Sequence, residues 1–139
     1  MLLGEYRHTI DDKGRLTIPA KFRGELAAGV VVTRGLNRNL IAFSLDDWRD
    51  LAGRVKGLPW GDPSAREFRR RIFSGAVDLE PDKQGRILLP ATLRDFAGIN
   101  GEVVIAGMFD HLEIWNSEAW ESVRQAAESD ETHWEILGI

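Results

Sequence analysis

The chain of 139 residues contains no cysteine, which excludes disulfides, thiolate metal sites and cysteine nucleophiles together. It lacks any long apolar run. Stretches such as "VVIAGMF" cannot cross a bilayer, and the opening "MLL" is too short for the core of an export signal. Histidine is scarce: His8, His111 and His133 fall at no metal-ligand spacing. A phosphate-binding glycine loop, an H-x-x-x-H pair and a G-x-S-x-G elbow are all missing. No catalytic residue, metal, cofactor, small-molecule substrate or membrane partner is therefore expected, and the expected compartment is the cytoplasm.

Positive charge is scarce in one region only. The formal net charge is −4, yet residues 1–94 carry 17 basic against 12 acidic residues, and residues 95–139 carry one against ten. Charge attraction is screened beyond about 8 Å at physiological salt, so a local basic face can meet nucleic acid although the whole chain is acidic.

What the chain has in place of a catalytic motif is a repeat. "DDKGRLTIPAKFR" at residues 11–23 returns as "DKQGRILLPATLR" at residues 82–94. Asp11, Gly14, Arg15, Pro19, Ala20 and Arg23 recur 71 positions later, and Leu16, Ile18 and Phe22 become Ile87, Leu89 and Leu93. After one inserted residue, Gly35, Leu40, Phe43 and Trp48 align with Gly107, Leu112, Trp115 and Trp120. The chain divides into repeats at 5–49 and 76–121, a linker with a basic helix at 50–75 and a C-terminal helix and tail at 122–139. A β-rich unit of about 45 residues is too small for a dependable core of its own. The two units are expected to share one.

Each unit reads alike. "GRLTIP" and "GRILLP" are short strands opened by a glycine turn. Pro19 and Pro90 stand at the start of short helices that Gly29 and Gly98 close. "VVVTRGLNRNLIAFS" and "EVVIAGMFDHLEIWN" form hairpins, each followed by an amphipathic helix with Ser44 or Ser117 available as cap. The fold class is α+β, mainly β.

The stretches "GEYRHTIDDKGRLTIPAKFR" and "RRRIFSGAVDLEPDKQGRILLPATLR" resemble the MraZ family of bacterial transcriptional regulators, with the Asp-x-x-x-Arg element present twice. The resemblance spans essentially the whole chain. It implies a swapped-hairpin, AbrB-like β-barrel built from two tandem repeats in one chain, and a ring-like homo-oligomer. It also implies binding of double-stranded DNA at tandem G-rich direct repeats upstream of the division and cell-wall operon, repression of that operon, which is the chain's own, and a place on the nucleoid. His8 and Arg23 occupy basic, DNA-contacting positions of AbrB-like proteins.

The residues support part of this on their own terms. Arginine's flat fork of donors brackets a phosphate or the O6/N7 edge of guanine, which suits Arg15, and Lys13 adds a charge for phosphate. Lys21 and Arg23 lie on the following helix, and Arg34 and Arg38 could widen the patch. Arg7 and His8 point to opposite faces of a strand, so only one can join Arg15. Two readings of Arg15 stand: a free guanidinium, or one that pairs with Asp11 to fix the turn. Asp11, Gly14, Asp82, Gly85 and Arg86 read as turn-forming. In the second unit Lys13 is replaced by Gln84, Lys21 by Thr92 and His8 by Leu79. The first unit is therefore expected to read DNA while the second completes the barrel. The arginines at 66–71 could form a second phosphate-contacting surface, but are expected to meet Asp46, Asp47 and Asp50 or a neighbouring subunit, and the apolar tail "HWEILGI" is expected to pack on the barrel or on a neighbour. An antitoxin-like or structural oligomeric module that binds a protein partner is the alternative from another class.

Overall fold

The structure, a computed structural model, describes residues 1–139. The first unit supplies β1 (Glu5–Thr9), β2 (Arg15–Thr17), a 3-10 turn at Ala20–Phe22 running into α1 (Arg23–Leu26), β3 (Val30–Arg34), β4 (Leu40–Ser44) and α2 (Leu45–Lys56). The linker folds as α3 (Pro63–Ser74). The second unit repeats the order with β5 (Val77–Leu79), β6 (Arg86–Leu88), α4 (Ala91–Ala97), β7 (Glu102–Gly107), β8 (Leu112–Asn116) and α5 (Ser117–Ser129), and α6 (Thr132–Leu137) ends the chain.

The two units interleave. The six-stranded sheet runs β1-β7-β8-β4-β3-β5, with every pairing antiparallel. Strand β1 thus pairs with the other unit's β7, and β5 with the other unit's β3. Exchange of equivalent strands reads the order backwards, which is the pattern of a pseudo-twofold. On that axis lie β4 against β8 and β2 against β6, each strand pairing with its own counterpart. This is the swapped-hairpin arrangement, and it is α+β and mainly β.

Burial alternates accordingly. Leu16, Ile18, Ile87 and Leu89 on one face of the β2–β6 ribbon join Val30, Val32, Val103, Ile105 and Ile114 of the sheet in one core of 19 residues. The opposite face of the sheet is covered by helices. Val104, Ala106, Trp115 and Trp120 form a second cluster beneath α5, and Phe43 meets Trp48 of α2. The repeat survives in this detail: Phe43–Trp48 and Trp115–Trp120 have ring centroids 5.9 and 6.0 Å apart, both tilted by 53°.

Two local expectations need correction. The cap of α5 is Asn116 rather than Ser117; its Oδ1 accepts from the backbone N–H of Glu118 and Ala119. Asn116 stands 72 positions after Ser44, the cap of α2, so the repeat register places the cap better than residue type alone. The arginines of α3 do not meet Asp46, Asp47 or Asp50. Arg66 donates to the carbonyl of Trp60, Arg69 to that of Lys56 and Arg71 to that of Gly35, and Arg70 pairs with Glu67 within the helix. Helix and loop carbonyls take the place of the carboxylates for Arg66, Arg69 and Arg71.

Candidate nucleic-acid interface

The Asp-x-x-Gly-Arg motif is a complete turn. Asp11 Oδ1 accepts from the backbone N–H of Lys13 at 3.0 Å and of Arg15 at 2.9 Å, while its Oδ2 accepts from Arg15 Nε at 2.6 Å. Asp82 does the same for Gln84, Arg86 and Arg86 Nε, each at 2.9 Å. These donors hold both carboxyls below the ordinary aspartate value of 3.8, the backbone N–H of Arg15 or Arg86 contributing most. Gly14 at φ +87° and Gly85 at φ +75° supply the left-handed residue that closes each turn.

Each turn is also the seat of the other unit's closing arginine. Arg23 donates from Nε to the carbonyl of Ile18 and lies over Gly85, where a Cβ would collide with Nε and stand 2.8 Å from Cζ. Arg94 donates to the carbonyl of Leu89 and lies over Gly14, 2.9 Å from where a Cβ would be. Backbone bonds lock the same crossing: Ile18 N–H to the Gly85 carbonyl and Leu89 N–H to the Gly14 carbonyl, both 2.8 Å. The recurrence of glycine and closing arginine in both units therefore has one physical cause, and sequence reading within a single unit misses it.

The ribbon turns its other face to solvent. Its register pairs Arg15 with Leu88, Leu16 with Ile87 and Thr17 with Arg86. Directly opposed residues share a face, so Arg15, Leu88, Thr17 and Arg86 lie together outside while Leu16 and Ile87 lie inside. Neither reading of Arg15 holds alone. The pair with Asp11 forms, but only through Nε; the terminal nitrogens of Arg15, and likewise of Arg86, make no hydrogen bond within the chain. Lys13 on one turn and Lys83 on the other are exposed and unpaired. The second unit thus replaces Lys13 by Gln84 and Asp12 by Lys83, and keeps one lysine per turn.

The remaining basic residues are placed as follows. Lys21 is exposed on the 3-10 turn. Arg7 is engaged by Glu102 at 3.0 Å, Glu121 at 3.5 Å and Glu5 at 3.6 Å, so acid already offsets its charge. His8 is half-buried on the face of β1 that also carries Tyr6, whose ring meets Phe22 edge-on at 5.1 Å. Arg34, Arg38 and Arg71 surround the Phe96 ring, each guanidinium within 6 Å of its centroid (5.9, 5.8 and 5.5 Å). The sequence signal that singled out Arg15 applies equally to Arg86, and the structure puts the two on one face.

The sequence is similar to known proteins along its whole length. The family described as MraZ protein matches residues 1–71 and again residues 72–135. Among similar proteins, the transcriptional regulator MraZ of Herpetosiphon aurantiacus is 54% identical over 88% of this chain and 86% of its own. That of Roseiflexus castenholzii is 50% identical over 94% and 91%. That of Acetivibrio thermocellus is 42% identical over the whole of both chains.

Proposed function

The chain belongs to the MraZ family, and from that premise and the geometry of the ribbon we propose that it regulates transcription by binding double-stranded DNA. One observation carries the reading: Arg15 and Arg86 stand on a single exposed ribbon face, each held at Nε by an aspartate with its terminal nitrogens unbonded. A guanidinium fixed at its inner edge is pre-oriented, so less side-chain entropy is lost when its outer edge meets a guanine or a phosphate. A two-stranded ribbon fits the major groove, about 12 Å wide. The two arginines are diagonal neighbours with Cα atoms about 7–8 Å apart, a span of roughly two base-pair steps of 3.4 Å each. Lys13 and Lys83 at the ends, with Lys21 beside them, serve the flanking phosphates. Arg23 acts chiefly as the seat of the second turn, and Arg7 and His8 contribute to the sheet behind.

The finer reading extends to what is bound and how. Tandem G-rich direct repeats upstream of the division and cell-wall operon suit a reader with two guanine-directed forks, and repression follows if its footprint covers the promoter. A ring of such subunits on the nucleoid would make the second and third contacts intramolecular, with avidity of about 10²–10⁴ over one subunit.

The test is binding to duplex DNA from upstream of the chain's own gene, with intact and scrambled repeats, across a salt series. Affinity should fall steeply with salt. Arg15→Ala and Arg86→Ala should each weaken it by about ten- to a hundredfold, the worth of one bidentate base contact, whereas Arg7→Ala should change it little. Equal binding to scrambled DNA would refute the sequence-reading role, and a loss confined to Arg15→Ala would return the contact surface to the first unit alone.

A further inference from the structure

Leu88 is 56% exposed, on a strand whose neighbours Ile87 and Leu89 are 3% and 1% exposed. No apolar partner covers it. It stands opposite Arg15 and two residues from Arg86, so a bare isobutyl group lies in the middle of the face that carries both arginines. A leucine here contributes nothing to the core and nothing to solubility. The counterpart position in the first unit, 71 residues earlier, holds Thr17, which is partly exposed opposite Arg86.

We propose that Leu88 is a specificity-determining residue that packs on the C5-methyl group of a thymine beside the guanine-directed arginines. This rests on the DNA-binding reading above. The thymine methyl is the one apolar group on a base edge in the major groove, and small or branched apolar side chains are its natural contacts. Leu88 shares a face with guanidinium groups whose reach fixes the depth of the ribbon in the groove, so it meets base edges rather than phosphates. The charge around it argues against the same face of a second copy as its cover, because Arg15, Arg86, Lys13 and Lys83 would repel their counterparts. The contact also breaks the pseudo-twofold. Arginine recurs at the two equivalent corners, but leucine faces one side and threonine the other, so the face has a direction. A ribbon with a direction reads an asymmetric element, the kind repeated head to tail, rather than a palindrome.

The test crosses the protein with the methyl group. The duplex from upstream of the gene is prepared once with thymine and once with deoxyuridine, which removes only the C5-methyl, and both are titrated with wild type and with Leu88→Ala. Leu88 is exposed, so the alanine variant should keep the wild-type melting curve. Wild type should lose about three- to fivefold in affinity on the deoxyuridine duplex, the magnitude carried by burial of one methyl group. Leu88→Ala should bind the thymine duplex about as weakly as wild type binds the deoxyuridine one, and should distinguish the two duplexes by less than twofold. An equal deoxyuridine penalty for both proteins, or none for either, would overturn the assignment while leaving DNA binding intact. Failure of wild type to bind the thymine duplex would overturn the DNA-binding reading itself. A change of subunit number in Leu88→Ala, without altered discrimination, would assign the side chain to self-association instead.

Discussion

At the scale of single residues, the two aspartates decide how the arginines are presented. Asp11 and Asp82 each accept three hydrogen bonds from their own turn. Hydrogen bonds to the charged form favour it, which is why both carboxyls titrate below the ordinary 3.8. A carboxyl lowered in the folded state stabilises fully above its unfolded value and loses that contribution as pH falls through the folded one. The turns are therefore expected to stay ordered through the ordinary aspartate range and to loosen only below it. Carboxyl-carbon NMR shifts of the two residues should show midpoints under 3.8; a midpoint at or above that value would mean that the turn bonds do not persist in solution. Asparagine at either position would keep an acceptor for the backbone N–H groups but lose the ionic hold on Nε, so the arginine would be free to wander. The motif was legible as a turn from Asp and Gly alone. That the same aspartate grips the guanidinium by one edge only, which leaves the other edge for a ligand, required the distances.

Between elements, the ribbon crossing is where the two units are joined. A residue other than glycine at a left-handed φ costs about 1–2 kcal/mol through its Cβ, and a clash adds to that. Gly85 carries both penalties because Arg23 lies on it, whereas Gly101 at φ +80° has nothing within 4 Å of a built Cβ. Gly101→Ala should thus cost about 1–2 kcal/mol, and Gly85→Ala about 1–3 kcal/mol more, read from urea midpoints. Equal costs would show that Arg23 moves aside freely and does not bind the units together. This crossing was invisible to a reading of one unit at a time, because Arg23 is distant in sequence from Gly85 and nothing local links them. The hairpins and the helices were legible, since each is set by periodicity and turn residues close in sequence, and so was the equivalence of Phe43 with Trp115 and of Trp48 with Trp120; that each unit packs its two rings together required the structure. The partners of Arg66, Arg69 and Arg71 were not. Charge patterning points a cation toward carboxylates, but unsatisfied carbonyls at loop and helix ends also accept from it and carry no signature in residue type.

For the whole molecule, the proposal gives assembly to the tail and DNA contact to the ribbon. Helix α6 buries none of its residues, and Trp134, Ile136, Leu137 and Ile139 are 58–76% exposed, so the tail does not pack on its own barrel. Of the two covers expected from sequence, the neighbour remains, and the proposed homo-oligomer would supply it. The tail also carries Glu131 and Glu135 in an acidic segment, opposite in sign to the ribbon face. Removal of residues 131–139 should leave the melting temperature of the barrel nearly unchanged, because it exposes no core. It should lower the subunit number seen by light scattering, and weaken binding to multi-repeat DNA by up to about 10²-fold through lost avidity, with little effect on a single-repeat duplex. Arg15→Ala should do the converse, sparing assembly and weakening the single-repeat complex. If truncation instead lowers the melting temperature and spares the subunit number, the tail belongs to the fold of its own chain and self-association must be sought on another face.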